Sequence, residues 1–214
     1  MRLLTVGDSF TYGEELADLN SAWPYLLAEK IGYEVTNLAK PGTGNTRMVR
    51  TCIEQINNYD MVVIAWSHFA RIEWSDSAGT YDLWPGCSPL PHEHLAPWRK
   101  WLIDHINWNH NDQYLYRQYL INNILLQNYL KTHNKKYLML DAFGNHQSTE
   151  RKSLVHKDLI GQIELKYFLG WPDQSMMEWT DSTPQGPRKH FLEQGHARVA
   201  DKIYNYMEQL SWLR

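Results

Sequence analysis

Gly7-Asp8-Ser9-Phe10-Thr11-Tyr12-Gly13 sets a serine between two glycines, directly after the apolar run Arg2 to Val6. A serine hydroxyl is a weak nucleophile at neutral pH and needs a neighbouring base, and histidine is the side chain whose pKa lies near working pH. The chain has 10 histidines. His190 precedes the last amphipathic stretch, where a loop can hang it over a sheet edge. His196 falls inside that stretch and reads better as a core histidine with its hydrogen bonds satisfied. Ser9 and His190 together suggest acyl transfer; the same turn also reads as a polar strand-to-helix connection in which Asp8 or Ser9 caps a helix. A phosphate cradle in the first loop is a third reading, and it leaves His190 without a role. His92 and His94 form an H-x-H pair, but no third ligand stands at recognisable spacing, so neither a metal nor another cofactor is expected.

The elements that must position these residues follow from apolar periodicity. Arg2 to Val6, Glu34 to Leu38, Met61 to Trp66 and Tyr137 to Leu140 read as strands, the third a continuous apolar run of the kind buried on both faces of a parallel sheet. Helices are expected after Ser21 as a cap, with Pro24 in the first turn and Gly32 as the stop, and over Arg47 to Asn58 with Met48, Cys52, Ile53 and Ile56 inward. Two more are expected over Leu115 to His133 and Leu192 to Leu210. Strands alternating with helices predict a three-layer α/β/α sandwich with a parallel, flavodoxin-like sheet, whose ligands collect at the carboxyl ends of the strands. Glu73 to Asn111 and Ala142 to Lys189, rich in Trp, His, Pro and Gly, break the alternation and are expected as insertions over that end. The first carries Trp74, Trp84, Trp98, Trp101 and Trp108, either a substrate wall or a local core.

Composition narrows the function classes. A length of 214 residues suits one domain enlarged by insertions. Lys and Arg number 21 against 24 Asp and Glu, a net charge of −3, so no basic field exists to hold nucleic acid. The longest uninterrupted apolar run, Met61 to Trp66, falls far short of a bilayer span, and the N-terminal sequence lacks the features of a signal peptide. A cytoplasmic or virion-associated protein, with no membrane partner and two reduced thiols at Cys52 and Cys87, is the expectation. The sequence leaves the oligomeric state open. Ten Trp and 13 Tyr are more rings than one core of this size requires, so some are expected on a binding surface.

The chain resembles the SGNH, or GDSL, hydrolases in three blocks: Gly7-Asp8-Ser9-Phe10 at the first strand, Asn37-Leu38-Ala39-Lys40-Pro41-Gly42 after the second, and His190 with Gly195-His196 near the C-terminus. The resemblance covers about two thirds of the chain in block order, leaving out both insertions. It implies the same sandwich and the hydrolysis of esters or thioesters, often acetyl groups on sugars. By the same resemblance Ser9 is the nucleophile, the N–H groups of Ser9 and Gly42 form the oxyanion hole, and His190 is the general base. Two blocks depart from the pattern. Ser67 stands where the family has an asparagine donating into the oxyanion hole, and its hydroxyl is expected to donate there with shorter reach; Pro187 stands where the family has the acid. His190 is then expected to act in a dyad, to be held by a backbone carbonyl, or to meet an acid such as Asp181 from another loop position. Trp66, His68, Trp74 and Trp84 are the expected substrate contacts. The implied function is hydrolysis of a small acyl ester, above all an O-acetyl group on a carbohydrate; the alternative is a weakly active or inactive glycan-binding module on the same fold.

Overall fold

Leu3, Leu4 and Val6 show how one strand serves two cores: Leu4 and Val6 face one side of the sheet and Leu3 the other. The computed structural model describes residues 1–77, 79–84, 112–144 and 156–213. In chain order its elements are β1 (Arg2–Val6), α1 (Ser9–Tyr12), α2 (Trp23–Ile31), β2 (Glu34–Asn37), α3 (Asn45–Gln55), β3 (Met61–Trp66), β4 (Ile72–Asp76) and β5 (Gly79–Leu83). There follow α4 (Asp112–Thr132), β6 (Lys136–Asp141), α5 (Lys157–Ile160), β7 (Phe168–Leu169), α6 (Met176–Thr180) and α7 (Glu193–Gln209).

Five strands form a parallel sheet in the order β2-β1-β3-β6-β7. One face carries Leu4, Val6, Val62, Ile64 and Met139, covered by Met48 and Cys52 of α3, by Ile56 just past its end, and by Leu120, Leu126 and Leu130 of α4. The opposite face carries Leu3, Val63, Ala65, Leu138 and Leu140, covered by Trp23 and Leu27 of α2 and by Val199, Ile203 and Met207 of α7. Two separate apolar clusters on one parallel sheet make the three-layer α/β/α sandwich. Every residue of β3 is buried, as its unbroken apolar sequence requires of a central strand.

Several local expectations are corrected. Ile53 is 42% exposed, because the buried stripe runs through Met48 and Cys52 of α3 to Ile56 at its C-cap, at four-residue spacing, and leaves Ile53 to one side. Ser21 belongs to a short 3-10 turn, and Ala22 is the residue that caps α2, with Pro24 in its first turn. The second insertion is not wholly outside the sheet: Phe168 and Leu169 pair with Met139 and Leu140 as its fifth strand. It also contains α6, opened by a capping box between Ser175 and Glu178. The first insertion begins as the antiparallel hairpin β4–β5, in which Trp74 stands opposite Tyr81. Cys87, His92, His94, Trp98, Trp101 and Trp108 lie outside the described residues. Cys52 is a free, buried thiol. Among the described residues no helix is long and apolar enough to cross a membrane, and no cluster of three His, Cys, Asp or Glu could hold a metal ion.

Candidate active site

Beyond Val6 the chain turns at Gly7 and starts the single-turn helix α1, whose cap is Asp8. Asp8 Oδ1 accepts the Phe10 N–H at 3.1 Å, while Oδ2 accepts the Ser67 hydroxyl at 3.0 Å and lies 3.3 Å from Arg71 Nη1. Burial raises the Asp8 pKa above its ordinary value, and Arg71, Ser67 and the Phe10 N–H act against that rise. The turn is therefore capped, as the structural reading of the motif expects, but by Asp8 and not by Ser9. Ser9 is 4% exposed, and neither its N–H nor its hydroxyl has a hydrogen-bond partner among the described residues.

The segment after β2 can be followed donor by donor. Leu38 N–H goes to Thr5 O, Ala39 N–H to Asn37 Oδ1, Lys40 N–H to Gly7 O, Thr43 N–H to Lys40 O, and Gly44 N–H to Asp82 Oδ1. Pro41 has none to give. Gly42, held at φ 76°, is left with an N–H that meets no acceptor among the described residues. Asn37 joins this loop to the serine turn, accepting from the Thr5 hydroxyl at 3.1 Å and donating to Thr11 O at 2.9 Å. Two unpartnered backbone donors thus stand on adjoining loops at the carboxyl edge of the sheet, an arrangement suited to a developing oxyanion.

His190 approaches the same edge from the segment before α7. Its ring packs on Phe10, the residue after Ser9, with ring centroids 4.9 Å apart. Nδ1 lies 2.9 Å from Glu15 Oε2, and Nε2 lies 3.7 Å from Glu14 Oε2, beyond hydrogen-bonding distance. The Glu15 carboxylate also accepts the Arg188 N–H at 2.9 Å and the His190 N–H at 3.3 Å. Burial alone would raise the Glu15 pKa; these two N–H groups and the imidazole outweigh it, and the pKa falls below the usual glutamate value. Glu14 pairs with Arg188 at 2.8 Å. No hydrogen bond links Ser9 to His190 among the described residues.

The remaining expected site residues divide. Asp181 closes α6 on an exposed position, and its carboxylate makes no hydrogen bond or ion pair among the described residues, so the carboxylate on His190 is Glu15 and not Asp181. Ser67 is fully buried and gives its hydroxyl hydrogen to Asp8, so it braces the Ser9 turn and not the oxyanion position expected for it. Trp66 is also fully buried, edge-on to Tyr119 at 6.1 Å, and offers no face to a substrate. His68 is half-buried, accepts the Ala70 N–H on Nδ1 at 3.2 Å and stacks on Phe69. Trp74 is half-buried in the hairpin. Trp84, 38% exposed, lies against Gly42, where an added Cβ would stand 3.1 Å from the indole ring. His196 accepts the Trp23 N–H at 3.1 Å in the core, and burial pushes its pKa down to about 3, as befits a structural histidine.

Glu15 and Asp82 were not expected from sequence. A pair of glutamates directly after the Ser9 turn was a usable signal for an acid, but the family pattern directs attention to position 187. Asp82 had none, because its role depends on how the hairpin folds back.

A parallel sandwich with a serine turn after its first strand, an open glycine N–H after its second and a histidine before its last helix is the SGNH-type fold. TesA shares it, with a TM-score of 0.58 over 98% of this chain and 99% of that one at 14% identity. So does the psychrotrophic esterase EstA from Pseudoalteromonas sp., with a TM-score of 0.57 over 98% of both chains at 11% identity. A third is CEX, a two-domain esterase active on acetylated mannans, with a TM-score of 0.53 over 98% of this chain and 49% of that one at 15% identity. At such identities the likeness is one of fold. By sequence, residues 12–213 match the family described as a family of unknown function, DUF6071, and the chain belongs to it. That match begins three residues after Ser9. No curated protein matches the chain.

Proposed function

We propose that the protein is an SGNH-type serine hydrolase of small acyl esters. The observation that carries the reading is an imidazole with Nδ1 on a carboxylate and its ring on Phe10, the residue after a serine whose hydroxyl has no partner among the described residues. With Glu15 accepting from Nδ1–H, Nε2 carries the lone pair and takes the proton of Ser9 as its Oγ attacks the ester carbonyl. The N–H groups of Ser9 and Gly42 receive the negative oxygen of the tetrahedral intermediate. His190 then returns the proton to the departing alcohol, and a water activated by the same imidazole releases the acid and regenerates Ser9. The Ser9–His190 hydrogen bond forms when substrate enters, since catalytic hydrogen bonds are often long in the ligand-free state.

The exposed Trp84 indole beside Gly42 supports a carbohydrate as the alcohol part, because a sugar ring stacks on such a face. The activity of CEX on acetylated mannans favours an O-acetyl group there. One observation favours the alternative of a glycan-binding module with little turnover: the third oxyanion donor of the family is absent, Ser67 being bonded to Asp8.

Incubation with p-nitrophenyl acetate and with a serine-directed fluorophosphonate separates the two. The expected result is hydrolysis and a covalent label on Ser9, both lost in Ser9→Ala. Glu15→Gln is expected to lower kcat by up to about 10⁴-fold, the loss seen when the acid of a serine-protease triad is neutralised. A Ser9→Ala variant with wild-type turnover, or a folded wild-type protein that neither labels nor hydrolyses, would overturn the reading.

A further inference from the structure

The hairpin β4–β5 lies outside the blocks shared with the hydrolases, yet both of its strands touch the Gly42 loop. Asp82, 7% exposed by its side chain, reaches from β5 to three residues that bracket Gly42. Its Oδ2 accepts from Lys40 Nζ at 2.8 Å, and its Oδ1 accepts from the Thr43 hydroxyl at 3.2 Å and the Gly44 N–H at 3.0 Å. From β4 the Ile72 backbone presses on Gly44, where an added Cβ would stand 2.8 Å from the Ile72 carbonyl carbon. Trp84, just past β5, covers Gly42. The loop is thus gripped on both sides of the one donor it leaves open.

We propose that Asp82 is a positioning residue for the oxyanion hole: through Lys40, Thr43 and Gly44 it fixes the direction of the Gly42 N–H. This rests on the ester-hydrolase reading. A glycine at φ 76° has a wide range of accessible backbone angles, so the direction of its N–H is set by what holds its neighbours. Those neighbours converge on a single carboxylate. An oxyanion donor acts only when aimed before the reaction starts, because reorienting it during the reaction forfeits its advantage. The substrate itself does not touch Asp82, so its loss acts on the transition state more than on ground-state binding.

The test compares wild type with Asp82→Ala, Asp82→Asn and Lys40→Met, using p-nitrophenyl acetate and counting active sites with the fluorophosphonate. Removal of a well-placed oxyanion donor costs about 10²- to 10³-fold in kcat. Asp82→Ala is expected to lose about 10²-fold in kcat per labelled site, with KM changed less than about threefold. Asp82→Asn, whose amide oxygen still accepts from Gly44 N–H, is expected to recover most of that loss, and Lys40→Met to lose less than Asp82→Ala. Should Asp82→Ala fail to fold, the proposal stands on Lys40→Met, which must then lower kcat without a matching rise in KM. Variants that melt at lower temperature but keep wild-type kcat per labelled site would overturn it, as would losses confined to KM. Failure of the hydrolase reading itself is distinct, since it shows in the wild-type protein as the absence of label and turnover.

Discussion

Glu15 and Lys189 both hold left-handed backbones, at φ 74° and 69°, though neither is a glycine. Such conformations cost on the order of 1 to 3 kcal/mol each and persist only where surroundings impose them. Here the two residues flank one contact, the Glu15 carboxylate lodged among the N–H groups of Arg188 and His190. The lodging needs Gly186, because a Cβ there would fall 2.6 Å from the Glu15 carboxylate carbon. The side chain that would have to yield is a flexible carboxylate end and not backbone, so the fold absorbs the intrusion at small cost while the Glu15–His190 contact does not. Gly186→Ala is therefore expected to lower kcat toward the level of Glu15→Gln while shifting the melting temperature by only a few degrees. A melting curve beside an ester-hydrolysis assay checks it, and unimpaired turnover would show that Glu15 does not orient His190. Sign matters for pH as well. The Glu15 pKa is lowered, so its contribution is present above the ordinary glutamate value and disappears as pH falls through the lowered one.

Helix α7 is tied to the start of α2 by His196, whose Nδ1 accepts the Trp23 N–H. Burial holds this imidazole neutral down to a pKa of about 3, whereas in the unfolded chain it takes up a proton near 6.5. The folded pKa is depressed, so the stability His196 contributes is full above about pH 6.5 and drains away as pH falls from there toward 3. His196→Asn supplies an amide oxygen as acceptor without titrating. Its melting temperature is expected to fall less steeply than that of wild type between pH 6.5 and 4, and parallel pH profiles would contradict the assignment. Elements of this kind were largely legible in the sequence. The alternation of Leu3, Leu4 and Val6 and the unbroken run of β3 identify a parallel sheet, and the H-x-x-x-x-G-H spacing places His190 just outside α7 and His196 within it. What escaped was whatever long-range contact decides. Two residues suffice for β7 because β6 offers a free edge, and so short a strand has no periodicity to read. Ser67 looked like an oxyanion donor by position, but its hydroxyl follows the nearest buried charge, Asp8. Trp66 ends an apolar strand, and burial on both faces takes its ring inward.

The two apolar clusters share one sheet, so neither layer of helices can leave without exposing strands that the other also uses. We propose that the 214 residues form a single domain and expect one cooperative thermal transition, with far-ultraviolet circular dichroism and tryptophan fluorescence coinciding. Separate transitions would assign the second insertion or the hairpin to an independent unit. Leu4→Ala on one face and Leu138→Ala on the other should each remove about 2 to 5 kcal/mol from that same transition. The carboxylate and the imidazole of the proposed site are 175 residues apart along the chain. On the proposed mechanism a nascent polypeptide presents its serine turn and glycine donor long before it has a base, and stays chemically silent until the segment around residue 190 docks. The proposed hydrolysis would then report on finished folding, and two fragments divided between these segments would recover it only by reassembling.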